Sequence, residues 1–336
     1  MGTGNLISNF PNGIFATPNL GGGMMIGPVG EVLFVDYATG SDANDGKSWA
    51  TALKTLGQAH TNVTSNANSV IYVNGYSTVV ETAMISFTKS RVHVIGVNGP
   101  YNPGGYGCGA KVRIGVTTDT GDIALIQNTG VRNTFTNIKF ISNNTLAQAL
   151  YCVAEGGEYT RYYGCEFYKS THLTAAASGN LAAEVLCNGD SAQFIDCWFG
   201  DLVNARGTGG SCVRANVSFD REQITGKVAR DVTFTRCRFN VNAAVTGVAH
   251  CYVTAATDIE RSLVFDNCSF WNAHLAAADP GEAVLIGAAQ TQGKILLINP
   301  STIDCSAHAS ASAGAYLTGG SAPVDNTTGI AAIIDT

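Results

Sequence analysis

Charged residues are few in this sequence. They occupy 13% of 336 positions, with 19 Lys or Arg against 25 Asp or Glu and a formal net charge of −6. No Lys/Arg run is present, so the clustered basic surface needed for binding a phosphate backbone is missing, and a nucleic-acid partner is not expected. Long apolar runs are absent too. No stretch approaches the roughly 18 apolar residues of a membrane-spanning helix, so no membrane partner is expected. The start, Met1-Gly2-Thr3-Gly4, has neither the basic opening nor the apolar block of a secretion signal, and Leu6 stands where N-acylation wants Ser or Thr. Folding in a cytoplasm is the resulting expectation. The 10 cysteines include no C-x-x-C pair, and no G-x-S-x-G is present.

What the chain has in quantity is β-branched and small residues, 45% hydrophobic residues and 39 glycines. That composition favours strands and corners over helices. Residues 1–30 read as an arm rich in Gly, Asn and Pro, without sustained periodicity. The arm nevertheless carries Leu6, Ile7, Phe10, Ile14, Phe15, Met24 and Met25, which a purely solvated tail does not need. Either it covers the first turn of its own chain or it docks on a partner. From residue 31 to 336 one domain is expected. It opens with a strand at Val32-Leu33-Phe34-Val35-Asp36 and a dense loop from Ala38 to Ser48. The spacing of Trp49, Ala52, Leu53, Leu56 and Ala59 predicts an amphipathic helix over about 48–60, capped by Ser48 and covering the open end of a strand stack.

Six segments repeat: Phe135–Phe140, Tyr162–Phe167, Phe194–Phe199, Phe234–Phe239, Phe265–Phe270 and Leu297–Thr302. Measured at the fourth residue of each, their spacings are 27, 32, 40, 31 and 32, the period of a solenoid with loops of varying length. Phe135 and Ile138 are three apart, whereas one face of a strand repeats every two, so a corner must fall between them. The residue before each fourth position is Asn137, Gly164, Asp196, Arg236, Asn267 or Asn299. Asn, Gly and Asp tolerate a left-handed corner; Arg236 does not fit, and a different local corner is expected there. A second strand family precedes these corners at 123–126, 150–153, 185–187, 251–253 and 284–286. Two strand families with room for a third describe three-sided rungs. Stacking places Phe140, Phe167, Phe199, Phe239 and Phe270 in an internal ladder, and Cys165, Cys197, Cys237 and Cys268 in a second one as buried thiols rather than disulfides.

The order strand, Gly/Asp loop, capping helix, then Ile71-Tyr72-Val73 and Val92-His93-Val94-Ile95-Gly96 resembles the opening of pectin-lyase-like β-helix proteins. It is most similar to the bacteriophage virion proteins of that group, whose β-helices often begin with a D-x-x-x-G-S-D-x-N-D-G-x-S-W-x-T-A-like run, here Asp36 to Thr55. The resemblance implies an all-β, right-handed, single-stranded parallel β-helix with a short N-terminal capping helix. It also implies a structural virion protein, a head decoration or cement protein assembled in the host cytoplasm. The major capsid protein or another virion protein would be its partner, residues 1–30 its docking arm, and a homotrimer its state.

Tests for chemistry fail one after another. Gly40 to Ser48 imitates a phosphate-binding loop but has five residues between its glycines where four are required, and Asp42 and Asp45 would repel phosphate. Its acids lack the calcium-loop spacing. No cofactor or metal is expected, and His93 reads as a mid-strand rung residue. Glycan cleavage, by a polysaccharide lyase or glycoside hydrolase, is the competing activity, and a tailspike or tail fibre that binds or cuts host polysaccharide is the alternative role. It needs two carboxylates about 5–9.5 Å apart across a groove. The candidates are Glu155, Glu158, Glu166, Asp190, Asp201, Asp258 and Glu260, expected on loops or outward positions. Glu166 falls in a mixed strip with Lys139, Trp198, Arg238 and Ser269, which points to a solvated face instead of a carboxylate pair.

Overall fold

The computed structural model describes residues 30–75, 81–97, 110–114, 123–142, 150–169, 182–202, 215–243, 248–273, 282–310 and 314–320. Within them the chain is a right-handed parallel β-helix of three sheets. Sheet A has ten strands, sheet B seven and sheet C eight. Each turn of the solenoid, or rung, visits C, A and B in order, as in Tyr151–Glu155, Arg161–Tyr163 and Glu166–Lys169. The rung inside the wide 40-residue spacing has its sheet C strand at Ala215–Phe219, which the sequence pattern does not reveal.

Register stacks like on like. Phe135, Tyr162, Phe194, Phe234 and Phe265 point inward from sheet A, with ring centroids 5.0, 4.7, 4.8 and 5.0 Å apart in succession. Phe140, Phe167, Phe199, Phe239 and Phe270 do the same from sheet B at 5.4, 4.9, 4.8 and 4.9 Å. Within a rung the two columns meet edge to face, for example Phe194 on Phe199 at 5.6 Å. Each buried ring contributes roughly 2–3 kcal/mol from burial, and favourable ring geometry adds about 0.5–1.5 kcal/mol.

Cys165, Cys197, Cys237 and Cys268 line the corner between the columns, all buried and all free thiols. Each Sγ donates to the carbonyl of the ring residue one rung earlier: Phe135, Tyr162, Phe194 and Phe234, at 3.4, 3.4, 3.3 and 3.3 Å. Burial pushes the thiols of Cys165, Cys197 and Cys237 well up, away from the reactive thiolate.

The corner residues Asn137, Gly164, Asp196, Asn267 and Asn299 are left-handed, with φ of 56, 54, 54, 52 and 47°. The different corner expected at Arg236 does not occur; its φ is 52°. The strain of a long side chain there is offset by a bidentate pair with Asp196 one rung below. A second left-handed corner, invisible in the sequence, precedes sheet A at Arg132, Tyr159, Ser191 and Asp231.

The end cap also differs from expectation. Instead of one helix over 48–60, Ser48 caps a short 3-10 turn at Trp49–Thr51, and α1 runs from Leu56 to Asn62 with Thr55 as its N-cap. The break has a cause: Leu53 is extended and bridges Val35, its N–H donating to Phe34 O and its carbonyl accepting from Asp36 N. Leu56 and Ala59 face the core, while Trp49 packs edge-on to Phe34 outside it.

Candidate functional site

The densest charge among the described residues lies where sheet C turns into sheet A. Parallel bridges align Val131, Glu158, Asp190 and Arg230 on successive rungs, so their side chains stand one above another. Arg230 Nε holds Glu260 at 2.5 Å, and Nη1 lies 3.7 Å from Asp190. Arg261 spans Asp190 and Asp231, each at 3.0 Å, while Lys227 sits 3.6 Å from Glu158. The strip is a chain of alternating charges, each carboxylate facing a cation.

The remaining candidate carboxylates do not join it. Glu155 was expected on a loop or outer face; it lies inside the solenoid with no exposure. It accepts from Asn128 Nδ2 at 3.0 and 2.9 Å, from Tyr162 Oη at 2.6 Å and from Gly157 N at 2.6 Å. Burial pushes its carboxyl up to about 6, and the bonds from Tyr162 and Asn128 limit the rise. Asp258 accepts from the backbone N–H of Ala255 and Arg221 at 2.5 and 3.2 Å. Asp201 is buried. Glu166 is tied to Lys139 at 2.7 Å.

That last pair belongs to the outer face of sheet B, where Lys139, Glu166, Trp198, Arg238 and Ser269 follow one another in register. The Arg238 guanidinium lies 5.1 Å from the Trp198 ring and Lys139 lies 6.0 Å from Tyr168. Trp271, two rungs from Trp198, is 45% exposed. Glu166 and Trp198 are themselves buried, so this strip is not the solvated face expected from the sequence; the exposed ring of Trp271 is what could meet the apolar face of a sugar.

A second polar column was missed from the sequence. His250 Nδ1 lies 3.2 Å from Asn216 Oδ1 and Nε2 lies 3.5 Å from Cys305 Sγ; Asn216 Nδ2 donates to Glu184 at 3.1 Å. Thiol, imidazole and amide in that order imitate a nucleophilic triad. Asn216, His250 and Cys305 have no exposure, however, so the column serves to tie rungs of sheet C together. No spacing signal marks it, because its members come from different rungs.

The fold-start run is likewise structural. Asp36 accepts from Ala38 N and Thr39 N, Asp42 from Lys54 N and Thr55 N, and Asp45 from Lys47 N and Thr51 Oγ1. Leu6, Ile7, Phe10, Ile14, Phe15, Met24 and Met25 of the expected arm lie outside the described residues. Among the described residues, no group of three or more His, Cys, Asp or Glu is placed to hold a metal, and no helix is long and apolar enough to cross a membrane.

No family profile matches this chain, and no curated protein matches it. Solved structures do. A pectin methylesterase from Aspergillus niger aligns over 90% of this chain and 91% of its own, with a TM-score of 0.54 and 15% identity. A rhamnogalacturonan lyase aligns over 81% and 68%, with a TM-score of 0.54 and 12% identity. A protein of Geobacillus virus E2 reaches a TM-score of only 0.32, at 13% identity over 88% of this chain and 59% of its own, too distant to inform function. Likeness at these identities shows the pectin-lyase-like fold and nothing about activity.

Proposed function

We infer that this chain is a non-enzymatic structural protein of a bacteriophage particle, a head decoration or cement protein docking on the major capsid protein or another virion protein through residues 1–30. The observation that carries this reading is the engagement of the candidate carboxylates. Glu158, Asp190, Glu260 and Glu166 each face a cation, Asp258 is held by backbone N–H groups, and Glu155 is enclosed in the core. Glycoside hydrolysis needs one carboxylate to give a proton and another to take one or attack, both facing the substrate. These groups are spent on holding rungs together. The Asp36–Thr55 run, read from the sequence as similar to virion β-helices, supports the same assignment. Quantitative mass spectrometry of purified particles tests it: copies comparable with the capsid protein support the head role, and absence from the particle overturns it. Deleting residues 2–28 should abolish incorporation; normal occupancy by the truncated chain removes the docking arm.

One observation favours the tailspike or tail-fibre alternative: Trp271 is exposed, and Arg238 lies against Trp198 on the same sheet face. A handful of copies per particle, with retention on host polysaccharide that Arg238→Ala and Trp271→Ala together remove, would move the protein to the tail.

A further inference from the structure

The two ends of the solenoid are finished differently. At the start, α1 buries Leu56, Ala59 and His60 against the first rung. At the other end sheet A stops at its tenth strand, Ala315–Thr318, sheet B at Ser301–Ile303 and sheet C at Ala307–Ala309. The register makes Leu317 the next member of the inward column that runs through Phe234, Phe265 and Leu297. Phe234 and Phe265 have no exposure and Leu297 has 1%, whereas Leu317 is 53% exposed. One edge of the same strand pairs with no other strand among the described residues. Apolar core and open strand edge thus meet in one place, and solenoids need both covered. Tyr316, on the outer face, differs from Leu317, because Lys294 Nζ lies 5.6 Å from its ring.

We propose that this end is closed in cis by the apolar run Gly329-Ile330-Ala331-Ala332-Ile333-Ile334, which lies outside the described residues. The path of the chain favours this occupant. Gly319 and Gly320 follow the last strand with φ of 68 and 93°, and a Cβ on them would collide with Asn299 Oδ1 and Pro300 respectively. The chain therefore leaves Thr318 pressed on the preceding rung, at the open end itself. Residues 321–328 span up to roughly 27 Å when extended, about twice the ~13 Å of Ala315–Thr318, so the run can return over Leu317. A tether of that length keeps the run at roughly millimolar effective concentration, above what a free partner or a second copy ordinarily reaches. Its spacing also fits. Ile330, Ile333 and Ile334 stand at i, i+3 and i+4, as do Leu56, Ala59 and His60 on the face that α1 buries at the other end. Closed in this way, the edge of Ala315–Thr318 is shielded from adding a strand of another chain, and end-to-end joining of solenoids is blocked.

Photocrosslinking of the full chain tests this, with benzoylphenylalanine in place of Leu317 and isotope-labelled and unlabelled copies mixed. A crosslink from position 317 to residues 329–334 of the same chain is expected. Links only to another copy, only to other segments of the chain, or none at all would each overturn the proposal. Hydrogen exchange of the chain without the probe gives a second readout. Ile330→Asp combined with Ile333→Asp should speed exchange in Lys294–Ile298 and Ala315–Thr318 about tenfold or more. Gln193–Ile195 should be unchanged, because the stability of a solenoid is passed between neighbouring rungs. Unchanged far-UV circular dichroism certifies the fold. Exchange in the two last strands that ignores both substitutions would count equally against the proposal.

Discussion

Arg236 reaches back one rung to Asp196 with two hydrogen bonds, Nε to Oδ1 at 2.7 Å and Nη2 to Oδ2 at 2.9 Å, and both residues are left-handed, with φ of 52 and 54°. The pair puts a strained backbone and a compensating contact in one place. Arg236→Ala keeps the strain and loses the contact, so it should destabilise by about 1 kcal/mol, the scale of an exposed pair plus a left-handed non-glycine residue. Arg236→Asn and Arg236→Gly relieve the strain and should fall within about 0.5 kcal/mol of the parent. Urea unfolding of the three variants checks the order; Ala equal to or better than Gly would contradict it.

The ring columns should dominate stability. Phe199 stacks on Phe167 and Phe239 and meets Phe194 and Phe234 edge-on. Phe199→Ala should cost about 3–5 kcal/mol, because the rungs above and below fix the cavity walls. Phe199→Leu should cost about 1–1.5 kcal/mol. A solenoid distributes stability between neighbours, so the loss should appear first in hydrogen exchange of the flanking rungs.

The thiol column should be inert while folded. Cys165, Cys197, Cys237 and Cys268 are buried and hydrogen-bonded to carbonyls, with burial raising the pKa of the first three. Iodoacetamide at neutral pH, with mass-spectrometric mapping, should leave all four unmodified until denaturant is added. Alkylation of Cys197 in the native protein would show that the column opens.

These columns were legible because phenylalanine and cysteine recur at a fixed place in each repeat, and a solenoid turns recurrence into stacking. The left-handed corner at Arg132, Tyr159, Ser191 and Asp231 was not, since only Asp among those residues readily takes the left-handed conformation and the geometry is imposed by the stacked rungs. Glu155 was misplaced for a related reason. An isolated carboxylate reads as surface, and only the fold brings Asn128, Gly157 and Tyr162 around it. The helix break at Ala52–Leu53 comes from pairing with the first strand, which overrides local helical spacing.

Acidification should destabilise the protein. Burial lowers His60 and His93 from the ordinary 6.5 to about 4, so the unfolded chain takes up protons between those values that the folded one refuses. Their contribution is complete above 6.5 and declines as pH falls toward 4. Glu155, raised from 4.5 to about 6, acts oppositely: its contribution is complete below 4.5 and is lost as pH rises through 6. Glu81 and Asp258, also raised by burial, act with Glu155 and offset part of the imidazoles' effect, so after screening the net loss from pH 7 to 4.5 should be on the order of 1 kcal/mol. Unfolding midpoints at the two pH values check this, and His93→Gln should remove or reverse the dependence. A protein equally stable at both would mean that the imidazoles protonate without hindrance.

The Asp36–Thr55 run invites a cation-binding reading, and the hydrogen bonds argue for a clasp. Asp42 Oδ1 accepts from Lys54 N and Thr55 N, each at 2.9 Å, and Oδ2 accepts from Thr55 Oγ1 at 3.0 Å, so both oxygens hold the start of α1. Gly40 has no room for a side chain: a Cβ there would lie 2.2 Å from Leu53 O and 2.6 Å from Asp36 O. Asp42→Ala should therefore cost about 1–2 kcal/mol through the three lost hydrogen bonds that hold Lys54 and Thr55. Gly40→Ala should cost more, because backbone must move to admit it. Calcium at millimolar concentration should leave the melting temperature of the parent unchanged, since the carboxylates already serve N–H and hydroxyl donors. A calcium-dependent rise that Asp42→Ala abolishes would instead make the run a cation site, and the end of the solenoid would be metal-tied.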